Sequence, residues 1–96
     1  MGLKSVKVSI RRRIWNLVFR GNLKNRGDCD RPDAPNKQIR VSSRLRGQHR
    51  LEIILHECLH AAFWDLDEEA IEQVGHDLAR ILWKLGYRDG EETEEA

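Results

Sequence analysis

The sequence is poor in the features that mark secreted or membrane-spanning chains. It has two cysteines in 96 residues, Cys29 and Cys58, too few for the disulfide framework of a small secreted domain. A reducing cytoplasm is therefore the expected compartment. No apolar run approaches the roughly eighteen residues that cross a bilayer. The opening MGLKSV has no apolar signal core, and Val6 stands where a myristoylation motif needs Ser or Thr. No membrane partner is expected. Both prolines, Pro32 and Pro35, fall in one stretch, so nothing after them breaks a helix. A chain this short makes one domain with a thin core.

Charge is abundant. Charged residues make up 34% of the chain, with a net charge of +1. That balance hides an asymmetry. Residues 1–50 carry 14 Lys/Arg against 3 Asp, or +11, and residues 51–96 carry 3 against 13 carboxylates, or −10. A basic half suits nucleic acid, but opposite halves also neutralise each other on folding. Nucleic acid is thus the minor expectation.

The alternation in VKVSI predicts a half-buried strand, and RIWNLVF its continuation or a second strand. Residues 21–37, GNLKNRGDCDRPDAPNK, collect Gly, Asn, Asp and both prolines and read as a loop long enough to shape a cleft. QIRVS, residues 38–42, reads as a short edge strand. Two helices follow, over residues 48–64 and 68–86. Asp65 or Asp67 can cap the second, Gly86 can end it, and Ile71, Val74, Leu78, Ile81, Leu82 and Leu85 give it an apolar face. The DGEETEEA end reads as a disordered acidic tail over residues 89–96. The fold class is α+β: strands and loop over residues 1–46, a two-helix unit over 47–88, then the tail.

The first helix carries the chemistry. It is apolar nearly all round and so must be buried, yet it contains His56, Glu57 and His60 in the run LHECLH. Unpaired polar groups there cost about 1–3 kcal/mol each. His56 and His60, at i and i+4, stand one above the other, the spacing at which two imidazoles share one tetrahedral zinc. Glu57 lies about 100° round the helix, within reach of a water on the metal but badly placed to ligate beside them. Two ligands and a general base are the HExxH pattern of metallopeptidases.

HECLH, with GDCD and KQIRVS before it and EEAIEQ after it, resembles the zincin metallopeptidases. The likeness is to small gluzincin-like domains such as the minigluzincins and the ImmA/IrrE-type and phage-associated peptidases. It spans roughly residues 27–87. The resemblance implies a minimal zincin: a small mixed sheet whose edge strand aligns a peptide or protein substrate by β-augmentation, an active-site helix, and a second helix bearing the third zinc ligand. The residues that can supply this ligand are Glu68, Glu69, Glu72 and His76. By resemblance to thermolysin-like enzymes, where the ligand is a Glu followed by Ala-Ile, it falls on Glu69, with Glu72 the nearest competitor. A similarity to SprT-like proteases points instead to His76. Cys29, in CDRPD, is loosely similar to the cysteine-switch segment of matrix metalloproteinases. The expected activity is hydrolysis of peptide bonds with Zn2+ as cofactor. Against it stands a zinc-stabilised binding or regulatory module without catalysis, contacting nucleic acid through the basic half.

Overall fold

A computed structural model describes residues 5–89. Four strands, β1 (Ser5–Ile10), β2 (Arg13–Arg20), β3 (Gly27–Cys29) and β4 (Gln38–Ser42), are followed by two helices, α1 (Gly47–Ala62) and α2 (Glu68–Lys84). The strands make one mixed sheet in the order β1-β2-β4-β3. β1 and β2 form an antiparallel hairpin, β4 lies parallel to β2, and β3 pairs antiparallel with β4. The α+β fold class expected from the sequence is the one observed. Among the described residues no helix is long and apolar enough to cross a membrane.

Two sequence expectations need correction. QIRVS is not an edge strand: β4 is interior, with β2 on one side and β3 on the other. The true edge beside the helices is β3, inside the stretch read as loop. Its three residues are too few for any periodicity, and it exists because Gly27, Asp28 and Cys29 lie opposite Val41, Arg40 and Ile39. The acidic end is the second correction. Asp89 is not tail but sits at the start of α1, where its Oδ2 accepts from the Gly47 N–H at 3.2 Å and lies 3.9 Å from the Arg50 guanidinium. A carboxylate at a helix N-terminus is favoured by the helix dipole. The remaining residues of the expected tail, 90–96, lie outside the described residues.

The core forms where strand alternation meets the helix. Trp15, Leu17, Ile39 and Val41 point from β2 and β4 to one side of the sheet and pack with Ile53 and Ala61 of α1. Helix α1 touches β1, β3 and β4 on one side and α2 on the other, whereas among the described residues α2 touches no other element than α1. This middle position explains why α1 is apolar nearly all round. Its most buried stripe is Ile53, Glu57 and Ala61, at i, i+4 and i+8, so Glu57 faces the sheet side.

Helix α2 behaves differently from its sequence pattern. Its buried stripe is Ile71, Gly75 and Ala79, of which Gly75 and Ala79 are small enough to bring the helices close, while Val74, Leu78, Ile81 and Leu85 are exposed. Asp67 caps its start, accepting from the Ala70 N–H at 2.7 Å. Gly86, at φ 101°, ends it with the Gly86 and Tyr87 N–H groups on the Trp83 and Leu82 carbonyls, a left-handed cap that suits glycine.

Gly27 sets the approach of β3 to α1. A β-carbon there would lie 2.8 Å from the Arg40 carbonyl oxygen, 3.1 Å from Ile53 and 3.2 Å from Glu57 Cγ. The first contact is with backbone, which cannot swing away. Gly27→Ala is therefore expected to lower stability by about 1–3 kcal/mol, read as a drop in the denaturation midpoint. An unchanged midpoint would show that β3 does not bear on α1 this closely.

Candidate metal centre

The two histidines and a carboxylate converge at the start of α2. Helix α1 has no glycine or proline after Gly47, so it runs unbroken through His56 and His60 and stacks them one turn apart, with ring centroids 4.9 Å apart. It ends at Phe63, whose N–H bonds back to the Leu59 carbonyl, and the turn closes with the Leu66 N–H on the Phe63 carbonyl. The Arg11 guanidinium, held by the β1–β2 turn, donates to the Ala62 carbonyl at 3.0 Å. After this tight turn Asp67 starts α2, and Glu68 becomes its first residue.

Glu68 bridges the imidazoles. Its Oε2 lies 3.0 Å from His56 Nε2, and its Oε1 lies 2.9 Å from His60 Nε2. One ligand atom from each of the three residues lies within 4.8 Å of the others. Two neutral imidazoles and a carboxylate facing a common point are a donor set that zinc accepts, and three protein ligands leave a fourth position for water or substrate. The residues fit the metal.

Glu69, the expected third ligand, is not in this group. The reason is helical register. At 100° per residue, Glu68 lies in line with the Ile71, Gly75 and Ala79 stripe that faces α1, and Glu69 is turned a quarter of the way round. The exposed apolar residues of α2 point elsewhere and misdirect a reading of the sequence. Glu72 lines a neighbouring hollow with His56 and Glu57 but is not in the group either. His76 is exposed and pairs with Glu52, one turn before His56 on α1, across 3.2 Å, and is not in the group.

Glu57 stands beside the group. It is 7% exposed and lines, with His56, His60 and Glu68, a cleft of about 330 Å³ whose other walls are Gly27, Asp28, Cys29 and Trp64. Burial chiefly, then the negative charges of Asp28 and Glu68, push its carboxyl up from 4.5 to about 7, against an opposing pull from Arg40. Burial also pushes the Cys29 thiol up to about 12, helped by Glu57 and Asp30. Cys29 is not part of the cluster; its Sγ donates to the Asp30 carbonyl.

Asp28 and Arg40 carry no motif, and reading the sequence alone misses them. Arg40 donates through Nε to Asp28 and through Nη2 to Asp30 at 2.6 Å, which ties β3 to β4. This pairing holds the Asp30 carboxyl below its ordinary value. It also places a carboxylate and a guanidinium, with opposite effects, near Glu57. The only signal in the sequence is the glycine of GDCD, which lets the strand come near.

A carboxyl whose folded pKa lies above its unfolded value binds its proton more tightly when folded. In metal-free protein this contribution is neutral below about pH 4.5, erodes stability as pH rises from about 4.5 through about 7, and stays constant above. Glu57→Gln should abolish that part of the pH dependence. Urea midpoints of the two proteins, measured with a chelator, should therefore diverge in favour of Gln as pH rises through this window. Parallel curves would show that Glu57 titrates normally.

Compared with family models, curated proteins and solved structures, the chain finds no match.

Proposed function

We propose that the protein is a zinc-dependent peptidase in which His56, His60 and Glu68 hold the metal and Glu57 is the general base. The observation that carries this reading is the convergence of three ligand groups with a separate, buried carboxylate on one cleft. A purely structural zinc site has no use for that fourth group, and burying it has a cost. Zinc held there would supply Lewis acidity, polarising a scissile carbonyl and lowering the pKa of a water toward ~7.

The chain's own residues account for the rest. Glu57, with a pKa of about 7 in the absence of metal, sits where a base operates best near neutral pH. In its ionised form one carboxylate oxygen accepts the proton of the attacking water. The same oxygen then delivers it to the leaving amine nitrogen. A positive ion in the cleft would draw the pKa of Glu57 downward, which keeps it ionised in the loaded protein.

Strand β3 supplies a rail for the substrate. The Arg26 carbonyl and the Asp30 N–H bond to β4. The alternation of an antiparallel pair therefore turns the backbone groups of Gly27 and Cys29 away from β4. Both residues line the cleft, so an extended peptide can add to this edge with its scissile bond over the imidazoles.

Two outcomes test the assignment. Glu57→Gln should leave zinc content unchanged and lower peptide cleavage by about 10²–10⁴-fold; equal cleavage by both proteins, or none by zinc-loaded wild type on an unfolded-protein or peptide library, would overturn the peptidase reading in favour of a zinc-stabilised module. Glu68→Ala should weaken zinc binding by more than about 100-fold, beyond the loss of a supporting hydrogen bond. Glu69→Ala should leave zinc binding almost unchanged. The reverse ranking, measured by competition with a chromogenic chelator, would assign the third ligand to Glu69.

A further inference from the structure

Helix α2 presents more apolar surface than α1 covers. About a quarter turn from the stripe packed on α1 runs a second one, Val74, Leu78, Ile81 and Leu85, with exposures of 41%, 37%, 48% and 70%. These four residues are spaced 4, 3 and 4 apart. That is the a/d repeat of a two-helix seam. No other element of the described protein touches α2.

The charges beside the seam identify the occupant. Asp77 and Lys84 are seven residues apart and so lie on the same flank. When two identical helices pack antiparallel about a two-fold axis, this flank meets its own copy reversed, setting Asp77 of each chain against Lys84 of the other, twice. Leu78 then meets Ile81, and Val74 meets Leu85. A parallel pairing would set Asp77 against Leu82 and carry Lys84 to position 89, past the end of α2, where Asp89 is already engaged at the start of α1. Among the described residues Asp77 pairs with Arg80 at 3.5 Å, and both side chains are more than half exposed, an ion pair weak enough to exchange.

We propose that two copies of this chain associate antiparallel through α2, about a two-fold axis beside Leu78 and Ile81. The association is independent of the peptidase reading, and because Glu68 begins the same helix, it steadies the element that carries the third metal ligand. An isologous contact of this kind closes on itself as a dimer.

Sedimentation velocity of the full chain over about a hundredfold concentration range tests it, since a two-helix seam makes association concentration-dependent. Wild type should move from the monomer mass toward twice that mass. Leu78→Glu with Ile81→Glu should stay monomeric while keeping its far-ultraviolet circular dichroism and its zinc. Asp77→Lys alone should weaken dimerisation by at least about tenfold through like-charge contact, and adding Lys84→Asp should restore it. These two positions are exposed and keep the test valid if the apolar double variant fails to fold. A wild type that stays monomeric throughout, a dimer that survives both glutamates, or a dimer indifferent to Asp77→Lys would overturn the proposal.

Discussion

A helix covered on both sides must be apolar on both, and any polar group it carries is forced into the seams between layers. Helix α1 is such a helix, with the sheet on one side and α2 on the other. His56 and His60 stand in the seam with α2, and Glu57 in the seam with the sheet. The cleft opens where the two seams meet, over Gly27, Asp28 and Cys29. The two imidazoles and the Glu57 carboxylate are therefore held about a quarter turn apart by the geometry of one helix.

Electrostatics in this cleft work by opposition. Glu57 feels burial and two neighbouring carboxylates, which favour its neutral form, and Arg40, which favours the charged form. Arg40 in turn is engaged by Asp28 and Asp30, so its pull is partly neutralised before it reaches the helix. Without metal the balance leaves Glu57 near the middle of its titration at neutral pH. Glu68 plays a double part: it raises the pKa of Glu57 and satisfies both imidazole Nε2 atoms. A cation in the same place would relieve the crowding of negative charge.

What the sequence made legible followed from local rules. The helices, the Asp67 cap, the Gly86 stop and the stacking of His56 over His60 each depend on residues within one or two turns, and each is observed. What it concealed depended on partners distant in the chain. Whether QIRVS is edge or interior is decided by β3 pairing with it, and β3 is too short to show a pattern. The choice between Glu68 and Glu69 rests on which side of α2 meets α1. There the large apolar residues misled, because close packing on α1 uses Gly75 and Ala79 and leaves Val74, Leu78 and Ile81 outside. Gly27 was read as loop punctuation, whereas its missing side chain is what lets a strand lie against Glu57.

The central claim is that His56, His60 and Glu68 form a zinc site with Glu57 beside it and outside the ligand set. Anomalous scattering at the zinc absorption edge, from crystals of the zinc-loaded chain, tests it most directly. The account predicts one peak within bonding distance of both imidazole Nε2 atoms and a Glu68 oxygen, with no bond to Glu57. A peak bound by Glu69 or His76, a peak bonded to Glu57, or no peak between the histidines would contradict it.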